Sequence, residues 1–366
     1  MVYSIRDIVS GLETLAPPAY QESYDNAQLI TGNPEDKVSG IICSLDVSEE
    51  VIQEAIDKRC NMIVAHHPIL FKGIKSLTGK NYVERTLIKA IKNDIAIYAI
   101  HTNLDHVDKG VNKKLCDKIG LIQTRILDPK SSTLMKLVTF VPHIHADKVL
   151  QSLYGAGAGK IGNYSSCSFQ LSGTGTFMPT EDANPTLGER GLLEKVEEKR
   201  IEILFPAHLK NKVLSALKRS HPYEEVAYYL QNLENGNQEV GAGMVGELHT
   251  PIDERAFLLG LKKKLNLPMI KHTAFRNKQI KKVAVCGGAG IFLLSAAKKF
   301  EADIFITSDI KYHEFFDAEN QIIIADIGHY ESEIHTKELL MEFLSQKFSN
   351  IALYLTKIVT NPITYL

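Results

Sequence analysis

The sequence predicts an α/β protein: two related α/β lobes form one body, and an α+β domain of ferredoxin-like order is inserted between them. Three observations carry this expectation. Both ends of the chain alternate short β-rich apolar runs with amphipathic helical stretches, the two ends match each other in pattern, and the middle follows a different order. Short strands buried on both faces and separated by helices are the signature of a sheet covered by helices.

The first lobe, 1–125, reads as helix "IRDIVSGLETLA", strand "VSGIICSLD", helix "SEEVIQEAIDKR", strand "NMIVAHH", helix "VERTLIKAIKN" and strand "IAIYAIHT". The second, 247–366, has a helix from about Asp253, then strand "KKVAVCGG", helix "IFLLSAAKKF", strands "DIFITS" and "IIIADIGHY", and helix "HTKELLMEFLSQKF". Superposing Cys43 on Cys286 places His66 on Asp309, and in each lobe a later strand ends in His, three residues, acid: His101 to Asp105 and His329 to Glu333. Such copies are expected to face one another with strand ends converging, where α/β sheets put ligands. The middle, 126–246, reads as β-α-β repeated, with "GAGAGKIG" and "ENGNQEVGAG" as Gly-rich loops. It is read as an insertion because the α/β theme resumes behind it.

Composition narrows the function classes. Lys+Arg 42 against Asp+Glu 43 leaves no global charge to draw the chain to nucleic acid or an anionic membrane. No run reaches the apolar length a bilayer needs, and the N-terminus carries acids where a signal peptide would not, so a cytoplasmic address is expected. Five cysteines, odd in number and without C-x-x-C, argue against a disulfide framework and a thiolate zinc site.

Histidine and carboxylate ligands are what remains for a divalent metal, and a pair of ions needs roughly five to seven such groups. His66, His67, Asp105, His329 and Glu333 all fall at or just past predicted strand ends. Pro68 holds His67 extended, so the adjacent rings can splay and serve different ions. His329 and Glu333, four apart where a helix begins, share a face, and the carboxylate is placed to bridge. Two ions per chain are expected. Zinc heads the candidates, with manganese and iron also compatible with this donor set.

Taken together, "LDVSEEVIQEA", "IVAHHPILFKGIKSL", "IYAIHTNLDHVDKGVN", "HPYEEVAYYL", "CGGAG", "ITSDIKYHEFFDA" and "DIGHYESE" resemble the GTP cyclohydrolase I type 2 family, the Nif-three-like dinuclear metal proteins. The resemblance spans the whole chain, with the middle matching the longer bacterial form. It implies the same five metal ligands, a toroidal homohexamer, and an insert similar to trimeric cation-tolerance and nitrogen-signalling modules. For activity it implies hydrolytic opening of the guanine imidazole ring of GTP with release of formate. Tyr24 stands where the family usually has Trp, and Ala27-Gln28 where a small residue and Gly are usual.

His101, Asp309 and His313 lie in the same motifs and are candidates to orient ligand imidazoles or move protons; ordinary strand-end polar roles are the alternative. In "CGGAG", the amides of Gly287, Gly288 and Gly290 are candidates to hold phosphate, with a plain tight turn reading equally well. "HPYEE", His221 to Glu225, reads as a turn, with a second binding surface as its alternative. Two functions stay open: a metal-dependent hydrolase of the GTP ring or of a phosphoester, and a metal-binding regulatory or adaptor protein whose insert senses a small molecule. The expected partner is a nucleotide or other small molecule, without nucleic acid or membrane.

Overall fold

The computed structural model describes residues 2–366. Contacts divide the chain into two units: everything up to Asp128 together with Val240–Leu366, and Pro129–Glu239.

The larger unit is built on two sheets. In the first, the strands Ala96–Ala99, Met62–Ala65, Ile41–Ser44 and Leu353–Leu355 run parallel in that order, with Leu29–Thr31 antiparallel at one edge. Successive residues alternate between two cores, as a strand's two-residue period requires. Ile41, Cys43, Met62 and Val64 pack against Ile5, Ile8 and Leu12, whereas Ile42, Ile63 and Ile97 pack against Val51, Ile52 and Leu87. The second sheet repeats the theme: Ile323–Asp326, Ile304–Ser308 and Gln279–Ala289 are parallel neighbours. The α/β class and the pattern match between the ends are therefore realised as two parallel cores, four strands in the first sheet and three in the second.

The two halves exchange elements. The helix Val111–Ile119 buries Leu115, Cys116 and Ile119 against Val283, Val285 and Ile304, so a piece preceding residue 125 covers the second sheet. In return Thr336–Lys347 buries Leu340 and Leu344 in the first core, and Leu353–Leu355 pairs with Ile41–Ser44. The stretch 247–366 is thus shared between sheets.

The expected Gly-rich loop "ENGNQEVGAG" is corrected: most of it belongs to a long strand, Asn237–Asp253, antiparallel to Gln279–Ala289. Close packing explains those glycines. A Cβ on Gly243, at φ +61°, would lie 2.9 Å from the Val285 carbonyl oxygen.

Pro129–Glu239 has the element order β-α-β-β-α-β. Its antiparallel sheet runs Phe169–Phe177, Glu194–Pro206, Leu134–Pro142, Tyr228–Leu233. Helices Ala146–Gly155 and Lys210–Ser220 supply Val149, Leu153, Val213 and Leu217 to a core with Leu137, Val141, Ile201 and Ile203.

Candidate metal centre

His66 and His67 follow the strand Met62–Ala65, and their amides continue its pairing by donating to Ser44 O at 3.2 Å and Leu45 O at 2.9 Å. Neighbours on a regular strand point to opposite faces. Here the strand has ended, and the two rings stand 4.9 Å apart at 43°, turned into one cluster. Asp105 closes the short helix Thr102–Asp105, and His329 and Glu333 open and close His329–Glu333. Their four-residue spacing brings His329 Nε2 to 3.0 Å from Glu333 Oε2.

Glu333 is the hub. Its Oε2 also lies 2.9 Å from His67 Nε2, while Oε1 faces His66 Nε2 at 4.0 Å. The carboxylate therefore turns one oxygen to His67 and His329 and the other to His66, beside Asp105. Donor atoms fall into three groups within metal-ligand reach: His67, His329 and Glu333; His66, Asp105 and Glu333; and His66, His67 and His101.

Each imidazole is held from behind. His66 Nδ1 donates to the Ile100 carbonyl at 2.8 Å, His67 Nδ1 to Asp46 at 2.7 Å, His101 Nδ1 to Asp25 at 2.8 Å and His329 Nδ1 to Asp309 at 2.6 Å. This is how metal-binding histidines are oriented, with Nδ1 bonded from behind and Nε2 turned inward, toward Glu333 in His67 and His329. Thr360 and Thr102 hydroxyls brace Asp46 and Asp25 in turn.

The electrostatics separate two halves. Burial holds His66 neutral, lowering its pKa to about 3. With Nδ1 carrying the proton given to Ile100, its Nε2 presents a lone pair. That lone pair faces Asp105 Oδ1 at 3.5 Å, and both atoms are buried without a hydrogen-bond partner. Burial and the neighbouring Glu333 charge push the Asp105 carboxyl up. On the other side, burial opposes charge on His67, but hydrogen bonds to Asp46 and Glu333 outweigh it and raise its pKa to about 10. His329 likewise rises to about 9 through Glu333 and Asp309, against the cost of burial. Buried Glu333 is held below the usual carboxylate range by hydrogen bonds from His329 and His67. Two facing orphaned polar atoms, His66 Nε2 and Asp105 Oδ1, beside a carboxylate gathering positive charge fit a cation: the donor chemistry is that of a divalent-metal centre.

All five residues singled out as ligands meet here, as do His101 and Asp309. His313 does not: it is exposed on the turn Tyr312–Ala318, with its ring against Tyr312 and Phe316. The phosphate role considered for "CGGAG" is also corrected. The Gly287, Gly288 and Gly290 amides donate to Asn112 Oδ1, Ser332 Oγ and Thr307 Oγ1, each at 2.9 Å, and have no hydrogen left for a phosphate. Asp46 and Asp25 escaped notice. Asp46, just past its own strand, has a faint sequence signal; Asp25, in a loop, has none.

Fold and donor set define a mixed α/β protein with a buried histidine–carboxylate centre able to hold a metal ion. The chain belongs to the family Duf34/NIF3 (NGG1p interacting factor 3), whose model matches residues 3–362. A GTP cyclohydrolase 1 type 2 homolog of Halalkalibacterium halodurans is 38% identical over 364 residues, covering 98% of each chain. One from Bacillus subtilis is 37% identical over 367 residues, 99% of this chain and 98% of its own. The crystal structure of a Bacillus cereus protein related to NIF3 superposes with a TM-score of 0.88 at 36% identity, covering 100% of both chains. No helix among the described residues is long and apolar enough to cross a membrane.

Proposed function

We propose that the protein binds two divalent ions per chain and uses them in hydrolysis, with the guanine ring of GTP as substrate and formate as a product. The observation carrying this reading is the split Glu333 carboxylate, one oxygen toward His67 and His329 and the other toward His66, beside Asp105. His66, Asp105 and Glu333 would hold one ion, and His67, His329 and Glu333 the other, zinc being favoured over manganese or iron. Held there, such ions supply Lewis acidity that makes water nucleophilic at neutral pH and polarises the leaving group.

The chain's own side chains orient and move protons. Asp46, Asp309 and the Ile100 carbonyl fix the ligand rings; His101, tied to Asp25 and 5.2 Å from the His66 ring, is placed to carry a proton. Phe71, 57% exposed and edge-on to His101 at 6.0 Å, offers an apolar surface for a purine. The names of the two bacterial homologs favour GTP over a phosphodiester.

A regulatory role is the second reading. Its support is that the centre joins residues of both halves, His66, His67 and Asp105 with His329 and Glu333, so ions there would tie the fold. A cytoplasmic homohexamer with no nucleic-acid or membrane partner suits either reading.

Turnover separates them. Metal-loaded protein should release formate from GTP, and His67→Ala should abolish release while GTP still binds. If neither GTP nor a phosphodiester is cleaved, and ligand variants change stability alone, the regulatory reading replaces the enzyme.

A further inference from the structure

Beyond the strand Leu353–Leu355 the described chain forms no further helix or strand, yet hydrogen bonds tie it down. At its start the Thr356 amide donates to the Cys43 carbonyl at 3.0 Å, and its hydroxyl to buried Glu54 at 2.5 Å. The Lys357 amide reaches the same carboxylate at 3.1 Å. From this anchor the chain passes to two neighbouring residues that meet different parts of the metal centre. The Thr360 hydroxyl donates to Asp46 Oδ2 at 2.6 Å, while the other oxygen of Asp46 receives His67 Nδ1. At the adjacent position Asn361 Nδ2 donates to Glu331 Oε1 at 3.1 Å, and Glu331 lies between His329 and Glu333 on their short helix.

Asn361 is a directed donor. Its Oδ1 accepts the Ile363 amide at 3.0 Å, an Asx turn that leaves Nδ2 to face Glu331. Glu331 is buried, and a Cβ on Gly328 would run into its carboxylate, so that side chain has little room to turn away. The helix it belongs to needs outside support. With five residues, His329–Glu333 is far too short to be stable alone, and no side chain caps its N-terminus. Ser332 ties it to the Gly288 amide, and Asn361 adds a second, separate tie.

We propose that Thr360 and Asn361 act as one clip on the metal centre: positioning residues, adjacent in the chain, that set His67 through Asp46 and set His329 and Glu333 through Glu331. His67, His329 and Glu333 form one of the donor groups, so the clip acts on a single ligand set from both halves of the fold. Neither Thr360 nor Asn361 is itself a donor in any of the groups. The inference rests on the metal-binding part of the function proposed above and not on chemistry at GTP.

Each arm has a variant and a rescue. Thr360→Val keeps the shape and loses the donor to Asp46, whereas Thr360→Ser keeps the donor. Asn361→Asp keeps the acceptor for the Ile363 amide but turns a carboxylate oxygen on Glu331. Glu331→Gln in the same chain then restores a donor and acceptor pair of reversed sense.

Zinc is titrated into the full chain against a chromophoric chelator, and the visible spectrum of the cobalt(II)-loaded protein reports ligand geometry. Thr360→Val and Asn361→Asp should each weaken binding at least about fivefold, the worth of one hydrogen bond, and shift the cobalt bands. Thr360→Ser and the Asn361→Asp, Glu331→Gln pair should restore both readouts. A role in folding alone would lower the melting temperature and leave affinity and spectrum as in wild type; that result overturns the proposal, as does a failure of both rescues. Should Asn361→Asp fail to fold alone, the double variant and the Thr360 pair decide. If wild type holds no zinc, the reading of the centre fails by itself, and hydrogen exchange in the metal-free protein judges the clip. The Ser332 and Ile334 amides, bonded to the Gly328 and Tyr330 carbonyls, should exchange faster in Asn361→Asp and recover in the double variant. Unchanged exchange refutes the clip.

Discussion

Gly288 and Glu333 are in such close approach that a Cβ built on Gly288 would sit 2.5 Å from Glu333 Oε1. Gly288 also has φ +64°, where a side chain is strained. Gly287 and Gly288 of "CGGAG" make room for the carboxylate hub of the centre.

Gly288→Ala should therefore displace Glu333 and weaken metal binding without touching a ligand. On the proposed ligation, affinity falls by about 10- to 100-fold, the range for disturbing groups that support metal ligands. Competition against a chromophoric chelator measures it. Affinity within twofold of wild type would show that the carboxylate position does not matter.

Asp46→Asn tests the support behind His67. The asparagine keeps the shape but removes the charge that receives the His67 Nδ1 proton at 2.7 Å. Metal affinity is expected to drop by about 10- to 100-fold with the fold preserved by circular dichroism. An unchanged affinity would reduce Asp46 to a bystander.

Glu84 anchors the segment after the two histidines. Its carboxylate accepts from the Thr78, Gly79 and Lys80 amides at 2.9, 3.0 and 3.3 Å, and the Thr78 hydroxyl also donates. The Thr78 amide, foremost among these, lowers its pKa from 4.5 to about 2. A depressed carboxylate contributes stability that is complete above its unfolded pKa and disappears as pH falls through the folded one. The anchor should thus hold down to pH 4.5 and release between there and about 2. Carboxyl-carbon NMR should find Glu84 still mostly ionised at pH 3; a midpoint near 4.5 would rule out the anchor. Glu84→Gln should speed hydrogen exchange at Gly79 at neutral pH.

Leu344→Ala addresses the exchange of elements between halves. Leu344 is fully buried in a core with Ile8, Leu12, Ile41 and Cys43, far away in sequence. Truncation should cost about 2–5 kcal/mol, as for other buried leucines. Urea unfolding reads this. A loss under 1 kcal/mol, roughly the worth of one buried methylene, would mean that the C-terminal helix is not part of the first core.

What the sequence determined by itself was whatever rests on short-range periodicity. Runs such as "GIICSLD" and "DIFITS" declare buried strands, and the four-residue spacing of His329 and Glu333 declares one helix face, because both patterns follow from local backbone geometry. The five ligand-type residues were legible because each sits at the end of such an element. Tertiary structure decided everything that depends on contacts between distant residues. It set Asp46 behind His67 and Asp25 behind His101, and it spent the "CGGAG" amides on Asn112, Ser332 and Thr307. It left His313 outside, turned a glycine-rich stretch into the strand Asn237–Asp253, and sent Val111–Ile119 and Thr336–Lys347 to each other's sheets. A hydrogen-bond partner or a packing surface dozens of residues away leaves no period in the chain, so only the folded arrangement selects it.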